Sequence, residues 1–170
     1  MEYPYNPTPV VKAKGAYPWL LSKKREEGPM KFVLASHGHL SEGMLDTLQM
    51  LLGPQEDVLT FVLHPEEEAA RLGERMEAAL EPEDEGNIVF FTDLYFGSPF
   101  NQVVNLSRNH AIYHVTGMNV PTLVEALVAR NGGKSASEVC DIALEAAKDS
   151  VKDVRKLMSV ADGQEEDEEF

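Results

Sequence analysis

Three short stretches hold residues that could do chemistry together. They are Ser36-His37-Gly38-His39, then Asp93-Leu94-Tyr95-Phe96-Gly97-Ser98-Pro99-Phe100-Asn101, then Gly117-Met118-Asn119-Val120-Pro121. A carboxylate bonded to one imidazole nitrogen fixes the tautomer and leaves the other nitrogen nucleophilic. His37 and Asp93 are residues of the types that such a pair needs. The Gly and Pro residues in the second and third stretches let backbone N–H groups approach a ligand closely. Each of these stretches leads into a helix start, where an anion is well placed. A plainer account fits the same residue types: His37 as a turn residue and Asp93 as a helix cap.

The elements between these stretches alternate. Residues 31–36 (Lys-Phe-Val-Leu-Ala-Ser) are expected as a buried strand, as are 57–63, 87–92 and 112–116. Apolar residues at 44, 45, 48, 51 and 52 have helical spacing over 40–52, with Gly53 as a stop. Residues 65–80 are expected as a second helix, with Glu66, Glu67 and Glu68 favourably placed against its N-terminal dipole. Helices over 99–110 and 121–130 follow. A turn at Asn131-Gly132-Gly133 leads to a last long helix, opened by Ser135 with Glu138 three residues on as a capping box. The pattern βαβαβαβαα predicts a doubly wound α/β fold, a mainly parallel sheet of about four strands with helices on both faces. Ligands in such folds sit outside the C-terminal ends of the strands, at the switch point. All three stretches fall there.

Length and charge narrow the function. The 170 residues suit one ordinary domain. A net charge of −14 argues against binding nucleic acid or an anionic membrane surface. A single cysteine, Cys140, excludes an intramolecular disulfide framework and a cysteine-based zinc site, and makes the cytoplasm the default compartment. Apolar runs are far shorter than the roughly 20 residues needed to span a bilayer. The cluster Trp19-Leu20-Leu21 is too short for the core of a signal peptide. Residues 1–29, with Pro4, Pro7, Pro9 and Pro18, are expected to be an irregular extension, and Met30 is a candidate functional start. Residues 30–158 form the folded domain. Residues 159–170, with six acids and no base, are expected as a solvated acidic tail.

Taken in order, Ser36-His37-Gly38, the stretch from Asp93 to the Gly97-Ser98-Pro99-Phe100-Asn101 end, and Gly117-Met118-Asn119-Val120-Pro121-Thr122-Leu123 resemble the EIIA component of the mannose family of the bacterial phosphoenolpyruvate-dependent sugar phosphotransferase system (PTS). The resemblance runs from about residue 30 to about 158. It implies a cytoplasmic phosphoryl carrier. Phospho-HPr would load a histidine matching His37, and a histidine of the EIIB component would unload it for sugar uptake through the membrane components EIIC and EIID. It implies Asp93 as the orienting carboxylate and Ser98 as the serine lying against the site. Backbone N–H groups near Gly97 and Ser98 would hold the phosphoryl oxygens, and neither a metal ion nor another cofactor is called for. It also implies a homodimer, for which residues 151–160 offer apolar side chains. One departure is Phe96, where the family usually has the first of two glycines; another is Tyr95, often Trp or Phe. Phe96 bears on the docking partner more than on the chemistry.

Other residues have plainer readings. His37 and His39 could form a metal pair, but such a pair after a first strand usually needs further ligands on a larger barrel, for which this chain is too short, and His39 is expected beside the site or on the partner surface. His64 is a loop residue, and His110 and His114 flank the fourth strand. Cys140 is a small core residue of the last helix, and Met44, Met50 and Leu51 are expected in the core. Two alternative functions stay open. One is a regulatory module that uses phosphorylation of His37 only to switch a protein partner. The other is a phospho-aspartate receiver with Asp93 as acceptor, although that chemistry wants an acidic pair after the first strand.

Overall fold

The computed structural model describes residues 29–165. Residues 1–28 of the expected extension and the last five residues of the acidic tail lie outside them. Four strands, β1 (Lys31–His37), β2 (Val58–Leu63), β3 (Ile88–Thr92) and β4 (Tyr113–Thr116), form one sheet in the order β2-β1-β3-β4. Every neighbouring pair is parallel. Six helices join and follow them: α1 (Leu40–Leu52), α2 (Ala69–Glu77), α3 (Ser98–Leu106), α4 (Val120–Asn131), α5 (Ala136–Lys148) and α6 (Val154–Glu165). The doubly wound α/β reading is therefore what the chain adopts.

Alternation along the strands divides the core between two faces. Phe32, Leu34, Val89 and Phe91 point to one side, where Leu48 of α1, Leu123 and Leu127 of α4, and Val139 and Ala143 of α5 cover them. Val33, Ala35, Ile88 and Phe90 point to the other, under Leu72 and Met76 of α2 and Val103 and Leu106 of α3. Strands buried on both faces explain the continuous apolar runs in the sequence. The chain leaves β1 for β2 on one side, then crosses to β3 on the other. The switch point thus lies between the C-terminal ends of β1 and β3.

Element boundaries differ from the expectations where local hydrogen bonds compete with the helix. Residues 65–68 form a turn rather than the first turn of α2. Glu67 N–H donates to the carbonyl of His64, and the Glu67 carboxylate accepts from the His64 N–H at 3.2 Å and from Arg75 at 2.9 Å. The expected last long helix is broken in two. Ser150 donates its hydroxyl back to Ala147 O, which ends α5, and Asp153 Oδ1 accepts from the N–H groups of Arg155 and Lys156 to cap α6. α6 continues to Glu165, into the stretch expected as tail. The capping box at Ser135 is present, with Ser135 N–H on Glu138 at 2.9 Å, and Gly53 ends α1 at φ +82°.

One core assignment is corrected. Met44 packs on the core, but Met50 (82% exposed) and Leu51 do not. The buried stripe of α1 runs through Ser41, Met44, Leu45, Leu48 and Leu52, and positions 50 and 51 fall off it.

Candidate active site

His37 is the last residue of β1, and Asp93 follows β3 directly. Ala35 is in register with Thr92, so His37, two residues on, and Asp93, one residue on, come to the same edge of the sheet. Their side chains, expected within hydrogen-bond reach, meet at 2.9 Å, His37 Nδ1 to Asp93 Oδ2. The same oxygen accepts the His37 backbone N–H, also at 2.9 Å, and Asp93 Oδ1 accepts the Leu94 N–H at 2.9 Å. Two backbone donors therefore hold the carboxylate in place. An ionised carboxylate only accepts, so Nδ1 carries the proton and Nε2 presents its lone pair. The His37 side chain is 43% exposed while Asp93 is largely buried, so the imidazole reaches solvent and its partner does not.

Ser36 and Gly38 fix the approach to His37. Ser36 is fully buried, and its hydroxyl donates to Gly38 O and accepts from Ser41 N–H at 2.8 Å, stapling the turn to α1. Gly38 has φ +54°, the left-handed conformation that lets the chain turn after His37.

Gly97 is needed for space rather than conformation, since its φ is −66°. A Cβ there would lie 2.7 Å from His37 Cε1 and 3.1 Å from Leu94 O. Its N–H is engaged in the loop, donating to Leu94 O at 3.0 Å. Gly97 thus leaves room for the His37 ring, and its own N–H, among those expected to hold phosphoryl oxygens, is engaged within the loop. Ser98 opens α3, and first-turn N–H groups of a helix have no intrahelical acceptor. On the far side of β3, the N–H groups of Gly117 and Met118 both donate to Thr92 O, and Asn119 Oδ1 caps α4 through Thr122 N–H at 3.0 Å.

The remaining histidines separate by environment. His39 is exposed, with Nδ1 2.7 Å from Glu42 Oε2 and its ring edge toward His64. The two histidines of the possible metal pair are thus claimed by different carboxylates. His110 lies at the opposite end of the sheet, 2.9 Å from Glu85. His114 proves to be more than a strand side chain. Its Nε2 shares a hydrogen bond with Thr92 Oγ1 at 2.9 Å, its ring packs on Phe100, and burial holds its pKa down at about 4. Phe100 in turn touches Tyr95 and Phe96, so His114 braces the Asp93–Gly97 loop from below. Periodicity carried no signal for this contact, which depends on β4 lying beside β3. Cys140 is half-buried against the core, and burial pushes its thiol up to about 11.

The EIIA-man family, described as PTS system fructose IIA component, matches residues 31–144. The chain belongs to this family. It is a mannose-type EIIA component of the PTS, and the three strand-end stretches lie within the matched span. It is 37% identical over 122 residues to the "PTS system mannose-specific EIIAB component" of Escherichia coli (strain K12), an alignment covering 71% of this chain and 38% of that relative. The chain thus spans well under half the length of this relative. Among solved structures, a PTS IIA protein associated with the fucose utilization operon from Streptococcus pneumoniae is 26% identical with a TM-score of 0.65. That match covers 75% of this chain and 95% of the other. The phosphotransferase system component EIIA from Streptococcus agalactiae has a TM-score of 0.67 at 24% identity, covering 74% and 98%, and shares the fold. No helix among the described residues is long and apolar enough to cross a membrane.

Proposed function

We propose that this EIIA component is a cytoplasmic phosphoryl carrier that works through His37. The observation that carries the reading is the bond between His37 Nδ1 and Asp93 Oδ2 at 2.9 Å, which leaves Nε2 facing outward with its lone pair. In the loading step Nε2 attacks the phosphorus of phospho-HPr. A nitrogen–phosphorus bond forms on His37 as the one on HPr breaks, and the HPr imidazole keeps the bonding electron pair. Positive charge builds on the His37 ring, and the Asp93 carboxylate beside Nδ1–H offsets it. Unloading to a histidine of EIIB is the same step with His37 as leaving group. Like exchanges for like, so the transfer is reversible and close to balanced. EIIC and EIID are engaged only through EIIB.

Phosphoryl transfer depends chiefly on positioning and on stabilising charge at the equatorial oxygens. Ser98, with its hydroxyl and the open N–H groups of the first turn of α3, is our candidate to receive those oxygens. Gly97 keeps room for the imidazole. A receiver-type role for Asp93 fits poorly, because both its oxygens are occupied and Ser36 and His37 stand where an acidic pair would hold Mg2+.

We further propose a homodimer. Val151, Val154, Leu157 and Met158 are all exposed, along the segment that leads into and forms α6. A single chain leaves this face uncovered.

The test is phosphotransfer from phosphoenolpyruvate through enzyme I and HPr, read by intact mass. One acid-labile phosphoryl group on the wild-type chain, absent in His37→Ala, is the expected result. An uncharged chain beside an active HPr control would overturn the carrier reading. Stable phosphorylation that no EIIB discharges would instead favour a regulatory switch.

A further inference from the structure

Phe96 occupies a backbone position that favours glycine. Its φ is +60°, in the left-handed region that a bulky side chain disfavours. Backbone and amide hydrogen bonds already hold the turn around it: Gly97 N–H bonds to Leu94 O at 3.0 Å, and Asn101 Nδ2 bonds to Phe96 O at 3.2 Å. The ring is 68% exposed and packs on the neighbouring aromatic rings of Tyr95 and Phe100. Strain of this kind, kept on an exposed side chain at the lip of a reactive site, points to a role outside the fold itself. Leu94 and Tyr95 are exposed as well, so three apolar side chains in succession stand beside His37.

The surroundings say what would cover them. The loops that follow the strands (38–39, 64–68, 93–97 and 117–119) contain Glu66, Glu67, Glu68 and Asp93 and no Lys or Arg, and of these acids Glu67 is paired with Arg75 of α2. With a net charge of −14 this surface repels anionic lipid. A small phosphoryl donor would have no use for an apolar platform. A donor protein would, because it must bring a phosphoryl group of the same sign as this surface into contact. Apolar anchoring adds short-range attraction that offsets repulsion of the phosphoryl group itself, and basic residues around the anchor's pocket answer the glutamates. The acceptor meets no such repulsion, since the phosphoryl group then already sits on His37.

We infer that Phe96 is the residue by which this chain selects its phosphoryl-donor protein. Its ring enters an apolar recess beside the donor's phosphohistidine, while Lys or Arg side chains rimming that recess face Glu66 and Glu68. This inference rests on the carrier reading above.

The experiment compares the wild-type chain with Phe96→Gly and Phe96→Tyr. Glycine suits the backbone at +60°, and tyrosine keeps the ring. Phospho-HPr is the protein donor, and phosphoramidate is a small donor that reports chemistry at His37 alone. In Phe96→Gly, KM for phospho-HPr should rise about tenfold, with kcat and the phosphoramidate rate within about twofold of wild type. Phe96→Tyr should recover most of the KM. An unchanged KM would overturn the inference, and so would an equal loss with phosphoramidate. A defect confined to discharge onto EIIB would also overturn it, by placing Phe96 on the acceptor side. If the wild-type chain takes no phosphoryl group from phospho-HPr at all, the carrier reading falls and this inference with it.

Discussion

A single carboxylate oxygen, Asp93 Oδ2, accepts both the backbone N–H and the ring Nδ1–H of His37, so it fixes the residue and its tautomer together. Removing the charge should uncouple these roles. Asp93→Asn is expected to slow phosphorylation of His37 on the order of a hundredfold or more, because the tautomer is no longer enforced and charge on the ring is no longer offset. Single-turnover transfer from phospho-HPr measures it. His39→Ala should load at close to the wild-type rate, since Glu42 holds that ring away from Asp93; a dead His39→Ala beside an active His37→Ala would reverse the acceptor assignment. Gly97→Ala tests space. Its Cβ would fall 2.7 Å from His37 Cε1, so the ring must move. The cost should be about 1–3 kcal/mol in stability, together with a marked loss of transfer, read by thermal melting and the same kinetics.

At the scale of elements, the site loop stands on a stack formed by β4 and α3. His114 on β4 supports Phe100 on α3, which supports Tyr95 and Phe96. Burial keeps His114 neutral to about pH 4, against an ordinary value of 6.5. The unfolded chain therefore binds the proton first. The His114 contribution to stability should fall as pH drops from about 6.5 and level off near 4, where the folded state protonates too. His114→Gln should flatten that slope, which denaturant melts at several pH values would show. Phe96 behaves differently from the core aromatics. Relief of left-handed strain, about 1–2 kcal/mol, and loss of ring contacts, about 0.5–1.5 kcal/mol, nearly offset one another. Phe96→Gly should then shift stability by less than ~1 kcal/mol, whereas Phe91→Ala, which opens a cavity between the sheet and its helices, should cost about 3–5 kcal/mol.

For the whole molecule, charge and the uncovered face near α6 set the expectations. A surface of net −14 attracts a basic partner at long range, so the second-order rate of loading by phospho-HPr should fall as salt is added and screening shortens its reach. An unchanged rate from low to high ionic strength would show that apolar docking alone governs the encounter. The exposed Val151, Val154, Leu157 and Met158 should be buried in a dimer. Light scattering at micromolar concentration should give twice 18.9 kDa, and charged substitutions at Val154 and Leu157 together should return the monomer.

The sequence by itself determined the layered architecture and the strand ends where the candidate site lies. Strand-like apolar runs alternating with helical spacing require a parallel sheet covered on both sides, and such a sheet presents reactive residues at its C-terminal edge. His37, Asp93, Gly97 and Ser98 stand out as candidates in the sequence because they sit at strand ends in stretches whose order resembles one family. Local caps were legible too, as at Ser135 and Gly53. Tertiary structure decided what depends on neighbours distant in the chain. The β2-β1-β3-β4 order puts His37 and Asp93 on adjacent strands at the switch point, a pairing that separation in sequence cannot encode. It also set the role of Gly97, whose missing side chain matters only because His37 packs against it. The bracing by His114, the exposure of Met50 and Leu51, and the break between α5 and α6 were settled in the same way. Pattern reports which side of an element is apolar, and only packing reports what meets it.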